Sequence, residues 1–154
     1  MNGTRIHKTS EHWPNEGVTQ VPYGLYDNSE IYARERERLF LGPTWNVLGF
    51  ACEVPNPGDY KTTTIGDIPV VLVRGKDGSL KGFENRCSHR GSLLCLERFG
   101  NAKAFTCVYH AWSYDEDGNL VGVAFQNGVG GEGGMPDDFR REEHGLRRLK
   151  IASL

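Results

Sequence analysis

A chain of 154 residues and 17.2 kDa is long enough to bury one hydrophobic core but not two independent ones. Its formal net charge of -2 at pH 7 lacks the basic excess that a nucleic-acid or anionic-membrane surface would require of a partner. The N-terminus has no apolar signal segment, and the run IPVVLV at 68–73 is too short for a membrane span. These observations predict a cytoplasmic protein with neither nucleic acid nor membrane among its partners.

The first part of the chain predicts an arm followed by one helix. Residues 1–26 are polar and contain two prolines, so we expect an extended arm with little regular structure. The segment DNSEIYARERERLF, residues 27–40, predicts an amphipathic helix with Asp27 as its N-cap and Glu30 three residues later. Its apolar side would consist of Ile31, Tyr32, Leu39 and Phe40. The Gly-Pro pair at 42–43 would end the helix.

The middle of the chain predicts a mainly β fold. Short β-like segments follow the helix at 45–52, 59–65, 68–74, 80–84 and 120–125. Asp77-Gly78 and Asp117-Gly118 are hairpin turn signals. We therefore predict a small antiparallel β-domain at 43–154, preceded by the arm and amphipathic helix at 1–42.

Two segments near the end of the chain carry weaker signals. GVGGEGG at 128–134 matches the glycine spacing of a dinucleotide-binding loop, but Pro136 interrupts the helix that such a loop must open. We therefore predict a flexible loop. The charged segment DDFRREEHGLRRLK at 137–150 predicts a solvated turn or short helix, with His144 as an ordinary surface histidine.

Two Cys/His pairs carry the chemistry of this sequence. ENRCSHRGSLLC contains Cys87 and His89, and CVYHAWSYDEDGNL contains Cys107 and His110. The pattern is C-x-H, seventeen intervening residues, then C-x-x-H. In a reducing compartment, cysteines serve more often as metal ligands or free thiols than as disulfides. Because both pairs fall between predicted strands, two loops could bring all four side chains to one metal centre.

The mixed donors favour iron and sulfide over zinc. Structural zinc sites more often pair Cys with Cys and His with His. A two-iron, two-sulfide cluster explains the mixture better, since one iron can take both thiolates and the other both imidazoles. Zinc stays an alternative, as does a third interpretation in which the cysteines are buried small hydrophobes with accidental histidine neighbours.

CSHRGSLLC and CVYHAWSYDEDGNLVGV resemble the Rieske iron-sulfur segment of the large (alpha) subunit of bacterial aromatic-ring-hydroxylating oxygenases. The resemblance extends to EIYARERERLF, GPTWNVLGF, GGMPDDF and HGLRRLKI, and the last of these segments are most similar to the salicylate, anthranilate and benzoate group. It implies a Rieske-type β-domain with two cluster-binding loops. The implied metal ligands are Cys87, His89, Cys107 and His110, with Arg90, Trp112 and Tyr114 as further cofactor-binding residues.

The sequence departs from the high-potential Rieske proteins of respiratory chains. Ser92 and Tyr109 stand where those proteins have the cysteines of an inter-loop disulfide, so no such clamp can form. Trp112 replaces a serine whose hydroxyl bonds a cluster sulfur there. Tyr114 occupies the position of a second donor, and either a hydrogen bond to a ligand sulfur or simple core packing would explain it. The leftover thiols, Cys52 and Cys95, are expected to be reduced and dispensable.

The resemblance implies a one-electron relay that feeds the mononuclear iron of an aromatic-ring hydroxylating oxygenase, an oxidoreductase. That iron, held by two histidines and a carboxylate, would lie in a catalytic domain absent from this chain, so we predict no catalytic residues here. The implied partners are a reductase or ferredoxin, the catalytic domain and other oxygenase subunits in a homo- or hetero-oligomer. A free Rieske-type ferredoxin and a zinc-stabilised binding module stay open as alternatives.

Overall fold

The computed structural model describes residues 21–153, and the chain divides into two compact units between Asn46 and Val47. Most of the predicted arm lies outside the described residues. At the end of the arm, Gly24–Asp27 forms a one-turn helix, α1. The prediction of little regular structure is therefore wrong for these residues. The predicted domain boundary between residues 42 and 43 stays a prediction.

The predicted amphipathic helix is present, but its cap is one residue later. Helix α2 spans Ser29–Glu35 and continues as a π-helical segment, Arg36–Phe40. The N-cap is Asn28, whose Oδ1 accepts from the backbone N–H groups of Glu30 at 2.9 Å and Ile31 at 3.0 Å. The prediction of Asp27 as the cap is wrong because that residue already closes α1.

Four antiparallel strands form the larger sheet of the second unit, in the order β3-β2-β1-β4. They are β1 Asp59–Ile65, β2 Ile68–Arg74, β3 Leu80–Glu84 and β4 Phe99–Asn101. The first three have the predicted bounds. The predicted turn at Asp77-Gly78 joins β2 to β3, and Asp77 Oδ1 accepts from the Ser79 N–H at 3.0 Å. Central strand β2 buries Val70, Val71, Leu72 and Val73.

A smaller antiparallel sheet has the order β5-β6-β7. Its strands are β5 Phe105–Thr106, β6 Ser113–Tyr114 and β7 Leu120–Gly122. The predicted turn at Asp117-Gly118 connects β6 to β7, as expected. The predicted strand at 120–125 ends early, at Gly122, and strands β4, β5 and β6 are too short for an alternating pattern to reveal them.

The predicted strand at 45–52 is wrong. This segment pairs with no strand among the described residues and runs into a 3-10 helix, Ala51–Glu53. The Glu53 carboxylate accepts from the Phe50 N–H at 2.8 Å and pairs with Lys61 of β1 at 2.6 Å. Side-chain bonds therefore tie the segment to the sheet in place of a strand ladder.

The C-terminal part of the described chain consists of a loop, a 3-10 helix and a segment that pairs with the edge of β3. Residues 128–134 form a loop, as predicted, with an isolated bridge between Val129 and Glu132. A 3-10 helix follows at Arg141–His144. The next residues cover the edge of β3, where the Glu84 N–H donates to the Arg147 carbonyl at 2.9 Å. No helix within residues 21–153 is long and apolar enough to cross a membrane.

Candidate metal centre

Two loops of the same backbone design carry the Cys/His pairs. The first loop, residues 87–92, follows β3, and the second loop, residues 107–112, joins β5 to β6. In the first, the Cys87 N–H donates to the Ser92 carbonyl at 2.8 Å. In the second, the Cys107 N–H donates to the Trp112 carbonyl, also at 2.8 Å. Each loop is thus closed on its own cysteine.

A second bond in each loop tightens this closure. The Gly91 N–H donates to the Cys87 carbonyl at 2.8 Å, and the Ala111 N–H donates to the Cys107 carbonyl at 3.0 Å. Gly91 has a φ of 71° and Ala111 a φ of 53°, so both occupy left-handed backbone. For Ala111 this conformation carries a steric cost that the closed loop must overcome. The two loops present their cysteines in equivalent positions.

The structure brings the predicted donors together. The His89 and His110 rings meet edge to face with their centroids 4.7 Å apart. Cys87 and Cys107 are both buried, each with 3% of its surface exposed. The Nδ1 atom of His89 is buried without a hydrogen-bond partner, which is unusual because buried polar atoms are normally paired. An unpartnered imidazole nitrogen, on a loop that also carries a buried thiol, fits a metal-ligating role.

The Cys107 thiol lies in an environment that favours thiolate. Burial raises its pKa, but the backbone N–H groups of Tyr109 and His110 and the side chains of Cys87 and Ser92 outweigh burial and lower the pKa below its ordinary value. Thiolate is the ligating form of cysteine. The surroundings of Cys107 in the second loop therefore favour the form of cysteine that binds metals.

The surroundings of His89 favour its neutral form, which is the form of histidine that binds metals. Burial lowers its pKa, and the nearby His110 and the positive charge of Arg90 lower it further. Arg90 itself is exposed, so its link to the site is through charge. Among residues 21–153, no three His, Cys, Asp or Glu side chains are grouped as ligands of one metal ion. The four donors instead stand as two mixed pairs on two loops.

Tyr114 combines both roles that the sequence left open. Its ring is fully buried in the core, and its hydroxyl oxygen lies 3.2 Å from Cys87 Sγ. The same oxygen accepts from the Ser88 N–H at 3.2 Å and lies 2.9 Å from Ser88 Oγ. Burial raises the pKa of Tyr114 above its ordinary value, so the phenol keeps its proton.

Trp112 supports the histidine of the opposite loop. Its indole stacks on the His89 ring with centroids 4.6 Å apart and an interplanar angle of 10°. The rings of Phe139 and His144 also meet the indole, edge to face, with centroid distances of 5.7 Å and 5.6 Å. The Phe139 and His144 rings stack on each other with centroids 4.7 Å apart. The prediction of His144 as an ordinary surface histidine is therefore wrong, because it packs against the aromatic group behind the site.

Asn85 is a site-supporting residue that the sequence interpretation missed. It is buried, and its side-chain Nδ2 donates to the Cys95 carbonyl at 2.8 Å. Its Oδ1 accepts from the backbone N–H groups of Leu94 at 3.3 Å and Cys95 at 2.9 Å. These bonds join the chain before the first loop to the chain after it. Asparagine just before a Cys-x-His pair was the only sequence signal.

The other thiols are free. Cys52 is exposed, and Cys95 is buried. Burial raises the pKa of the Cys95 thiol to about 12, so it stays protonated and inert. Tyr109 stands at one of the two positions where high-potential Rieske proteins have a disulfide cysteine. Its ring lies over the His110 ring with centroids 3.8 Å apart.

A comparison with models of protein families identifies the family to which this chain belongs. The model of the Rieske [2Fe-2S] domain matches residues 44–130, which include both loops. The chain belongs to the Rieske [2Fe-2S] domain family. The predicted family is thereby confirmed, and with it the kind of cofactor, a two-iron, two-sulfide cluster. Two thiols, two imidazoles and an unpartnered buried imidazole nitrogen fit that cluster.

Curated relatives of this Rieske domain are large subunits of oxygenases. It is 49% identical over 142 residues to the anthranilate 1,2-dioxygenase large subunit of Burkholderia cepacia, covering 92% of this chain and 34% of that subunit. It is also 49% identical over 145 residues to the large oxygenase component of salicylate 5-hydroxylase from a Ralstonia species, with the same coverages. The chain thus spans about a third of the length of these relatives.

Solved structures confirm the predicted fold class. Naphthalene 1,2-dioxygenase from a Rhodococcus species, bound to indole, superposes with a TM-score of 0.76 at 32% identity. The match covers 87% of this chain and 29% of the dioxygenase chain. The mainly β architecture of this Rieske domain is therefore that of the corresponding part of an oxygenase.

Proposed function

We propose that this Rieske domain relays single electrons within the large subunit of an aromatic-ring-hydroxylating oxygenase. Its ligands in this proposal are Cys87, His89, Cys107 and His110. The observation that carries the proposal is the meeting of the two loops, with the His89 and His110 rings 4.7 Å apart and His89 Nδ1 buried without a partner. Each loop contributes one thiol and one imidazole.

The chain's own residues prepare the site for its cluster. When bound, a [2Fe-2S] cluster with two histidine ligands accepts and releases one electron. The second loop stabilises its thiolate through backbone N–H groups, and burial keeps His89 neutral. Neutral imidazoles leave the centre less negative than four thiolates would, which favours acceptance of an electron. Trp112 stacks on the His89 ring and supports its orientation.

We propose that electrons enter and leave at the edge formed by the two histidines. His89 and His110 are partly exposed, and the neighbouring side chains of Val108 and Tyr109 are 71% and 62% exposed. Such a surface offers apolar contacts next to the ligands, as a short-lived complex with an electron-transfer partner requires. The donor in this proposal is a reductase or ferredoxin.

We propose that the electron acceptor and the substrate-binding site lie in polypeptide outside this chain. We propose a mononuclear iron in a catalytic domain as the acceptor, in an oligomer with other oxygenase subunits, and an aromatic carboxylic acid as the substrate. The relatives named for anthranilate and salicylate support this substrate class. We place the whole protein in the cytoplasm, where the free thiols of Cys52 and Cys95 would stay reduced.

Iron and acid-labile sulfide analysis of purified protein tests the proposal. We expect about two of each per chain and the red-brown absorbance of a Rieske cluster, which zinc cannot produce. Cys87→Ser should abolish the normal spectrum, whereas the matched control Cys52→Ser should keep it. A normal cluster in the Cys87→Ser variant would refute the ligand assignment, and a colourless zinc protein would refute the electron relay.

A further inference from the structure

We infer that the Ser88 hydroxyl competes with the Cys87 sulfur for the single phenolic proton of Tyr114, and that Ser88 thereby lowers the reduction potential of the cluster. Ser88 lies between two proposed ligands in the sequence and is not itself one of the proposed ligands. The inference rests on the proposed role of Cys87 as a ligand. It makes Ser88 a positioning residue that acts through Tyr114.

The Ser88 hydroxyl has its own proton already committed. Its Oγ lies 2.6 Å from the backbone carbonyl oxygen of His144, a distance typical of a good O–H···O bond. A carbonyl oxygen can only accept, so Ser88 is the donor. Because a hydroxyl has one proton, Ser88 Oγ can only accept in its other contacts.

Tyr114 therefore has one proton and two acceptors. Its hydroxyl oxygen lies 2.9 Å from Ser88 Oγ and 3.2 Å from Cys87 Sγ, both normal distances for the atoms involved. The Ser88 N–H occupies a lone pair of the same oxygen at 3.2 Å and brings no proton that could serve the sulfur. The phenolic proton is consequently shared between serine oxygen and cysteine sulfur.

The serine is strengthened as an acceptor by its own donation. In the chain from Tyr114 through Ser88 to the His144 carbonyl, each hydrogen bond polarises the next. The carbonyl is positioned by the 3-10 helix Arg141–His144, whose His144 ring stacks on Phe139. This helix lies beyond residues 44–130, so a segment outside the family match influences the hydrogen bonding of the site.

The competition has a defined effect on the cluster. A hydrogen bond to a ligand sulfur stabilises the reduced state more than the oxidised state, because the reduced centre carries more negative charge. While the Tyr114 hydroxyl donates its hydrogen bond to Ser88, Cys87 does not receive this stabilisation. When the serine hydroxyl is removed, the Tyr114 hydroxyl should donate its hydrogen bond to the Cys87 sulfur alone.

Redox titration of Ser88→Ala tests the inference. We expect a higher midpoint potential than in the wild-type protein, and a wild-type value in Ser88→Thr, which keeps the hydroxyl. In the Tyr114→Phe background, Ser88→Ala should leave the potential unchanged, because the proton for which Ser88 competes is gone. Ser113→Ala is the matched control, since Ser113 Oγ bonds Thr106 Oγ at 2.9 Å on β6 and β5.

Visible absorbance is recorded first for every protein. If the wild-type chain forms no cluster, the proposed function fails, and this is distinct from a failure of the inference. A lower or unchanged potential in Ser88→Ala would overturn the inference, as would a rise that persists in the Tyr114→Phe background. That persistent rise would mean that Ser88 acts through loop shape.

A second pair of variants covers poor folding of Ser88→Ala. Ser88→Thr and Ser88→Val have the same branched shape and differ by one hydroxyl, so the valine protein should have the higher potential. Infrared difference spectra of the wild-type protein labelled with ring-deuterated tyrosine provide a further test. A Tyr114 C–O band that shows no hydrogen bonding to oxygen in the oxidised state would overturn the inference.

Discussion

The hydroxyl oxygen of Tyr114 lies 3.2 Å from the sulfur of Cys87, and both residues are buried in the hydrophobic core. Tyr114 comes from β6, at the end of the second loop, whereas Cys87 begins the first. The contact therefore links the two loops in a protein that has no inter-loop disulfide. It also provides one hydrogen-bond donor to a proposed ligand sulfur.

The first prediction concerns the reduction potential. Trp112 supplies no hydroxyl to a cluster sulfur, so we expect a midpoint toward the low end of the Rieske range, about -150 mV rather than about +300 mV. Tyr114→Phe should lower it further by tens of millivolts, where ~59 mV equals a tenfold change in the electron equilibrium. Protein-film voltammetry gives both values, with exposed Tyr26→Phe as control. A wild-type midpoint well above zero would contradict this account.

The second prediction concerns Trp112, which is 3% exposed and stacked on His89. Trp112→Ala should reduce the free energy of unfolding by about 3–5 kcal/mol through the cavity that it leaves. It should also speed cluster loss, because the His89 ring loses its support. Trp112→Ser adds a hydroxyl but opens the same cavity, so we expect cluster loss there as well.

Thermal unfolding, followed in parallel by absorbance of the cluster and by circular dichroism, measures the effect at Trp112. Trp112→Phe retains an aromatic face toward His89 and should lie between wild type and alanine. Equal rates of cluster loss in wild type and Trp112→Ala would show that the stack does not support the histidine.

The third prediction concerns Asn85. Asn85→Ala removes three hydrogen bonds and leaves the backbone groups of Leu94 and Cys95 buried without this partner. Each unpaired buried group costs about 1–3 kcal/mol, so the variant should unfold at a clearly lower denaturant concentration. Asn127→Ala, in an exposed loop, is the control. If Asn85→Ala unfolds at the same denaturant concentration as wild type, the hydrogen bonds of Asn85 do not stabilise the fold.

The fourth prediction concerns the spare thiols. In the folded protein at about pH 8, iodoacetamide should modify exposed Cys52 and leave buried Cys95 intact until the chain is unfolded. Mass spectrometry of peptides after labelling measures this. Non-reducing peptide maps should show no Cys52–Cys95 disulfide, and finding one would contradict the expectation.

The raised pKa of Cys95 also gives a pH dependence. The unfolded thiol ionises near 9.0, whereas burial raises the folded pKa to about 12, so only the folded state keeps the proton between these values. The free energy of unfolding should therefore fall as pH rises through this window. Cys95→Ala should remove that contribution, which denaturant titrations at several pH values would reveal.

The fifth prediction is that this chain accepts electrons but hydroxylates nothing by itself. A facial triad needs two histidines and a carboxylate apart from the cluster ligands. His7 and His12 lie outside the described residues, and His144 packs on Phe139. With NAD(P)H, a competent reductase and salicylate or benzoate under air, the cluster should be reduced and reoxidised. Hydroxylated product in excess over protein would contradict the prediction.

The local pattern of the sequence was enough for the parts of this protein that depend on neighbouring residues. The short β-like segments at 59–65, 68–74 and 80–84, with the Asp-Gly turn before the last of them, predicted three strands with the observed bounds. The two Cys/His spacings indicated the centre, because ligands on a short loop must lie close together in sequence. The family followed from the same residues.

Tertiary structure alone decided what surrounds the centre. The Ser88 hydroxyl reaches the His144 carbonyl across 56 positions, and Trp112 of the second loop stacks on His89 of the first. No periodicity or spacing encodes such contacts, because they exist only after the sheets place distant segments side by side. For the same reason the sequence did not predict β4, β5 and β6, whose two or three residues form strands only by pairing with neighbouring strands.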